Sequence, residues 1–276
     1  MTGIPDEDPR PFHAFEHRGW ERVVSVYHRS FADLTSQTIQ PLLDAGGVRE
    51  GVRVLDVATG PGYVAAAAAA RGASVVGLDF SGEMLAEARR RCPDVEFREG
   101  DAQALPFPEA AFDSVVMNFG VPHLERPETA LREGYRVLRP GGRFAFTVWD
   151  DPSVALGFKI VLDAVEKWGN VNVPIPPGPP FFLYRDGEVS RKALRAAGFE
   201  SPERLELPLR WRLRTAEALF EAMQDGTVRT GGLLRAQSPE DLQAIRNAVC
   251  QGVAAYVMGA TVDLPMAAVL YCGSKA

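Results

Sequence analysis

Val52-Arg53-Val54-Leu55-Asp56-Val57-Ala58-Thr59-Gly60-Pro61-Gly62-Tyr63-Val64, followed by the alanines Ala65 to Ala70, places a strand, a tight turn and a helix in immediate succession. Val52, Val54, Leu55 and Val57 form a short apolar run of β-formers. Gly60 and Gly62 admit backbone angles closed to other residues, and they let a ligand approach the main chain. Pro61 suits the first turn of a helix, where its missing N–H is not needed. The alanine run has high helix propensity and lets the helix lie close on a sheet. A buried strand feeding a helix through a glycine turn is the opening unit of an open, doubly wound α/β sheet.

Two ligand classes use such a turn. Gly60-x-Gly62-x-x-Ala65 meets the dinucleotide fingerprint, whose last position is Gly or Ala. Asp56 argues against that ligand. It ends the strand just before the turn, where a pyrophosphate would lie, and like charges repel. A nucleoside carrying an ammonium and a sulfonium would be attracted instead. The stretch Leu55-Asp56-Val57-Ala58-Thr59-Gly60-Pro61-Gly62 resembles motif I of class I S-adenosylmethionine-dependent methyltransferases. The resemblance implies that Asp56 faces the methionine end of S-adenosylmethionine. It also implies that Ala58, Gly60, Pro61 and Gly62 lie against the cofactor. An NAD(P)-dependent oxidoreductase is the alternative reading, and a non-catalytic cofactor-binding protein on the same fold is a third.

The following elements extend the resemblance. Ala73 to Asp79 reads as a second strand, with Asp79 at its C-terminal end, where a carboxylate can accept hydrogen bonds from a ribose. Ser81 is an N-cap for the next helix, whose inward face carries Met84, Leu85 and Ala88. Val95 to Arg98 alternates as a third strand and leads into Gly100-Asp101-Ala102, similar to the family's adenine-reading segment. Phe112 to Phe119 is a fourth strand. Ligands of such sheets bind beyond the C-terminal strand ends, at the switch point that the first and fourth strands flank. The implied cofactor set is therefore Tyr27, Asp56, Ala58, Gly60, Pro61, Gly62, Asp79, Phe80, Met84, Asp101, Ala102, Asn118 and Phe119. His123, in the loop after the fourth strand, is the candidate catalytic residue, able to orient or deprotonate an acceptor; a packing or capping role is its alternative. Leu138-Arg139-Pro140-Gly141-Gly142-Arg143-Phe144 resembles the structural turn before the family's fifth strand.

The totals bound the function. With 276 residues, 46% of them hydrophobic, the chain can bury a sizeable core. Its net charge of −6 argues against nucleic acid as main partner. Cys92, Cys250 and Cys272 are scattered, which fits a cytoplasmic protein without disulfides. His13, His17, His28 and His123 show no ligand spacing, so no metal is expected. Asp6, Glu7 and Asp8 follow the start without an apolar run, so no secretory signal is read, and no stretch reads as a membrane span.

The chain is read as one methyltransferase domain over 1–276. A flexible start covers 1–16, an N-terminal helical cover 17–46 and the cofactor-binding core 48–150. Helical spacing marks 127–138, 152–168 (from Pro152) and 187–197. Pro174, Pro176, Pro177, Pro179 and Pro180 preclude helix and regular sheet in the loop that follows the second of these. Phe181, Phe182 and Tyr184 beside that loop are candidate substrate-binding residues, as is Arg229 further on. Leu205 to Arg214 alternates around Pro208 and reads as an edge strand. Met266 to Cys272 is continuously apolar and reads as an internal one. The implied sheet is Rossmann-like and seven-stranded, in order 3-2-1-4-5-7-6 with strand 7 antiparallel. Residues 214–260 form a helical insert, read as a lid whose glycines Gly226, Gly231 and Gly232 permit movement, with a homodimer surface as its alternative. The expected partner is a small-molecule methyl acceptor.

Overall fold

The computed structural model describes residues 10–276. Four parallel strands carry the first half: β1 (Arg53–Val57), β2 (Ser74–Asp79), β3 (Glu96–Glu99) and β4 (Phe112–Asn118). Then follow β5 (Leu138–Trp149), β6 (Glu200–Leu213), the short β7 (Val257–Met258) and β8 (Thr261–Ser274). The sheet order is β3-β2-β1-β4-β5-β8-β6, and β8 runs antiparallel to both β5 and β6. This is the expected order, with the last strand renumbered because β7 pairs with the start of β8 as a small hairpin. Pro208 sits opposite Ala267 on β6, the edge strand, where a missing ladder donor is tolerated.

Side-chain alternation divides the core between two faces. Val54, Val116, Ala145 and Leu270 point one way, and Leu55, Val115, Phe144 and Tyr271 the other. The first face is covered by α3 (Ile39–Ala45), α4 (Tyr63–Ala70), α5 (Gly82–Arg91) and later helices. Ala65 and Ala68 of α4 are fully buried against it, which a longer side chain would prevent. The second face is covered by α6 (Pro127–Val137) and α8 (Gly187–Ala197). Gly198 ends α8 at φ +107, a left-handed cap that favours glycine.

Several elements depart from the sequence reading. The expected flexible start lies partly outside the described residues, but α1 already runs from Pro11 to Ser30. Phe12 anchors it: the side chain is buried, and Gly178 of the proline loop packs so close that a Cβ there would stand 2.2 Å from the ring. The second part of the helical cover read over 17–46 is broken into α2 (Ala32–Thr35), a 3-10 turn (Ser36–Thr38) and α3. The helix α7 spans Leu156–Trp168 rather than starting at Pro152. The carboxylate of Asp151 accepts the Ser153 N–H at 2.8 Å, and this local turn displaces the first helical turn.

After β6 come α9 (Glu217–Gly226), α10 (Arg229–Arg235) and α11 (Pro239–Gly252). The glycines read as hinges here serve close packing. A Cβ on Gly226 would meet Ser30 Oγ at 2.7 Å, and one on Gly231 the Gln224 carbonyl at 2.5 Å. Among the described residues no helix is long and apolar enough to cross a membrane.

Candidate active site

Two of the four left-handed non-glycine residues among those described lie just beyond the C-terminal ends of β1 and β4. Ala58 (φ 54) and Phe119 (φ 56) are left-handed without being glycine, and Gly60 (φ 53) and Gly62 (φ 82) flank the turn. Such angles concentrate where surrounding structure enforces them, commonly at binding sites. Gly120 shows the enforcement: a Cβ there would lie 2.8 Å from that of Ala58 and 2.7 Å from Met117 Cγ. The two strand ends meet through glycine, and a cavity opens above them.

Three carboxylates stand near the floor in different states. Asp79 lines the cavity; its Oδ2 accepts the Gly60 N–H at 2.8 Å and its Oδ1 the Ser81 N–H at 3.0 Å. Burial raises its pKa to about 6, against those hydrogen bonds. Asp101 also lines the cavity. Its Oδ1 accepts the Gln103 N–H at 2.8 Å, and its Oδ2 pairs with Arg10 at 2.9 Å and with His13 at 3.6 Å. Burial alone would raise its pKa, but these partners hold it below the ordinary value. Asp56 is placed differently from the reading that it faces the ligand. It is buried beneath the turn and is not among the cavity-lining residues; its Oδ2 accepts the Thr59 hydroxyl at 2.5 Å. Its Oδ1 is buried without a partner, and burial raises its pKa to about 7. The residue lies on β1, and its side chain turns under the loop it was expected to precede.

The remaining expected cofactor residues divide in the same way. Tyr27, Ala58, Gly60, Pro61, Phe80, Met84, Ala102, Asn118 and Phe119 all line the cavity. Gly62 does not: its Cα packs toward Phe97 and Ala88, where a Cβ would come within 3.1 and 3.2 Å. Asn118 spends its amide on the protein. Its Oδ1 accepts the Thr38 and Thr147 hydroxyls at 2.8 and 2.5 Å, and its Nδ2 donates to the Thr35 carbonyl. It therefore ties the N-terminal helices to β4. Burial raises the Tyr27 hydroxyl to about 12, so it remains neutral, 3.3 Å from Thr35 Oγ1.

A further part of the lining is aromatic. Trp20, Phe31, Trp149, Phe158 and Phe181 form it, with His123 among them. Phe181 meets His123 edge-on at 5.6 Å and packs on Phe158. Phe182 packs behind it on Phe158 and does not line the cavity. Tyr184 is carried to the other face of the sheet, where its hydroxyl donates to Glu128 at 2.6 Å. Arg229 is neither a surface residue nor unpartnered. Its Nη1 donates to the Pro179 carbonyl at 2.8 Å and that of Pro122 at 3.3 Å, while the guanidinium lies over Phe12 and Phe181.

Residues missed in the sequence include His13, Trp20, Gln103, Leu124 and Phe158 in the lining. Glu16, behind the wall, accepts the Trp20 indole N–H at 3.2 Å and pairs with His123 Nδ1 at 3.0 Å. Trp20 lay in the stretch read as a helical cover, and Glu16 in the stretch read as flexible. Among the described residues no His, Cys, Asp and Glu side chains gather into a group able to hold a metal ion.

A seven-strand order with one antiparallel member, glycine-joined strand ends and carboxylates after β2 and β3 define a class I S-adenosylmethionine-dependent methyltransferase fold. Comparison with known proteins agrees. A methyltransferase-domain family matches residues 55–146. The demethylmenaquinone methyltransferase of Clavibacter sepedonicus is 38% identical over 175 residues, covering 57% of this chain and 69% of that protein. That of Renibacterium salmoninarum is 44% identical over 112 residues, covering 41% of this chain and 47% of it. The chain thus spans about half the length of some curated relatives it matches and over two thirds of another. In the fold comparison, the Haemonchus contortus phosphoethanolamine N-methyltransferase 2 structure superposes with a TM-score of 0.59 at 20% identity, covering 96% of this chain and 60% of that one. The chain belongs to the class I S-adenosylmethionine-dependent methyltransferases.

Proposed function

We propose that the protein moves a methyl group from S-adenosylmethionine to a small, largely apolar aromatic acceptor. The observation that carries this reading is one cavity lined by two kinds of group: the carboxylates Asp79 and Asp101 with an open glycine turn, and a connected set of aromatic rings. The residues fit the cofactor. Asp79 suits the ribose and Asp101 with Ala102 the adenine, while Leu78, Phe80, Met84 and Leu124 supply apolar surface for the base. Gly60 leaves the turn open, since nothing lies within 4 Å of a Cβ built there. The unpartnered, buried Oδ1 of Asp56 beneath that turn favours a cation above it and disfavours linked phosphates. Bound there, the cofactor supplies an electrophilic methyl on a sulfonium.

The chain's part is to bind and align. Holding donor and acceptor in line is worth roughly 7–11 kcal/mol of such a barrier. Phe181, Trp20, Phe158 and Trp149 are the residues that would hold a flat ring, and α10 with the Gly226–Thr230 segment closes that end. The relatives named as demethylmenaquinone methyltransferases point to a hydroxylated naphthalene ring as the acceptor type. S-adenosylhomocysteine at a hundredfold excess over its Kd is expected to raise Tm by about 5 °C or more, with NAD(P) giving no shift. Methyl transfer to a 1,4-naphthohydroquinone probe completes the test. A shift with NAD(H) alone would overturn the reading in favour of a dehydrogenase.

A further inference from the structure

The aromatic wall contains a buried carboxylate that neither fold nor core packing accounts for. Glu16 is 0% exposed on α1, one helix turn before Trp20. A carboxylate so placed is costly unless its oxygens are satisfied. Only Oε2 is satisfied, by the Trp20 indole N–H at 3.2 Å and by His123 Nδ1 at 3.0 Å, whereas Oε1 is buried without a partner. An apolar residue would pack at this position without that cost.

His123 is held from several directions. It follows Pro122 in a 3-10 turn, Trp20 meets its ring edge-on at 4.8 Å, and Phe181 meets it at 5.6 Å. Arg229 fixes the same turn by donating to the Pro122 carbonyl, and its charge faces Glu16 electrostatically. The ring lines the cavity with Nδ1 committed to the carboxylate. A carboxylate at Nδ1 selects the tautomer protonated there and leaves the lone pair on Nε2.

Building on the methyltransferase reading, we propose that Glu16 and His123 form a carboxylate–imidazole pair in which His123 Nε2 takes the hydroxyl proton of an arenol acceptor and Glu16 is its positioning residue. The step balances. The acceptor O–H bond breaks and its proton goes to Nε2. The oxygen, left with that electron pair, forms the new O–C bond to the methyl carbon, and the S–C bond breaks with its pair retained by sulfur. Positive charge thus passes from the sulfonium to an imidazolium that the Glu16 carboxylate stabilises 3.0 Å away. The acceptor class is accordingly a flat ring bearing an ionisable hydroxyl, rather than an amine or an unactivated carbon.

The deciding experiment needs no substrate. Long-range 1H–15N spectra of the ligand-free protein labelled at histidine are expected to show His123 protonated at Nδ1. Glu16→Ala should shift it to the Nε2-protonated form, while Glu16→Gln, which still accepts at Nδ1, should retain the wild-type tautomer. Paired kinetics with the naphthohydroquinone probe sharpen the result. His123→Ala is expected to lower kcat about 10²-fold or more and Glu16→Ala about tenfold, with acceptor KM within twofold in each. Glu16→Gln should recover part of the Glu16→Ala loss. S-adenosylhomocysteine binding should be unchanged in all three, which certifies folding. An Nε2-protonated His123 in the wild type, or a Glu16→Ala loss confined to KM, would overturn the pair and leave the methyltransferase assignment standing. A wild-type protein with the expected tautomer but no methyl transfer to any hydroxylated ring would instead remove the assignment.

Discussion

The cavity has two walls built by different means. The sheet-end wall rests first on short-range contacts, Thr59 to Asp56, Ser81 to Asp79 and Gln103 to Asp101 each spanning two or three residues, to which Arg10 on Asp101 and Thr38 on Asn118 add long-range ties. The aromatic wall is made by long-range ones. Glu16 and His123 are 107 residues apart, as are Arg229 and Pro122, while Arg229 and Pro179 are 50 apart. A local wall can be specified by a motif and reused with many partners. A wall assembled from α1, the β4 exit turn, the proline loop and α10 is free to change with the acceptor. Under the proposed function, the cofactor and the acceptor are read by parts of the chain that differ in how they are assembled, with α1 serving both through His13 and Trp20.

Asp79→Ala gives the largest expected effect and the sharpest test of that difference. It removes a charged acceptor for ribose, worth roughly 1.5–3 kcal/mol, and with it the partner that holds the Gly60 N–H. The Kd for S-adenosylhomocysteine should weaken about 100-fold by calorimetry. Phe181→Ala should leave that Kd within twofold and raise acceptor KM about tenfold, since an aromatic pair and its buried area are lost. Equal losses of cofactor affinity in both variants would show that the walls are not independent. A third change probes where they join. Gly120→Ala forces a methyl against Ala58 and Met117, and overpacking of this kind costs about 1–3 kcal/mol, seen as a Tm lowered by several degrees.

The same contrast explains what the sequence made legible. Apolar runs, alternation and turn residues located the strands, because each signal lies within a few neighbours, while their order followed from the resemblance to the methyltransferase family. The carboxylate positions at the ends of β1, β2 and β3 were legible for that reason. The side-chain directions were not: Asp56 turns under the loop through Thr59, and Tyr184 faces Glu128 on the far side of the sheet. Phe181, Phe182 and Tyr184 look alike as a sequence, yet only Phe181 reaches the cavity. Glu16 was hidden because its significance exists only once His123 stands beside it, and no local pattern encodes a partner so distant.

The smallest expected effect concerns the carboxylates under the sheet-end wall. Burial raises Asp56 to about 7 and Asp79 to about 6, both above their unfolded values near 4. Between pH 4 and 7 these two groups therefore bind more protons in the folded state than in the unfolded one. Their contribution to stability falls as pH rises through that window and levels off above it. Asp56→Asn should flatten the Tm–pH curve across pH 4 to 7 without changing its slope below pH 4. A cation placed above the turn favours the ionised carboxylate, so binding should release a fraction of a proton and tighten as pH rises from 6 to 7.5. Calorimetry at pH 6.5 in two buffers of different ionisation enthalpy would measure the release. S-adenosylmethionine, with its sulfonium, should release more than S-adenosylhomocysteine, and Asp56→Asn should erase most of the difference. Equal release by both ligands would mean that Asp56 serves only the turn, and that discrimination against linked phosphates lies with Asp79 alone.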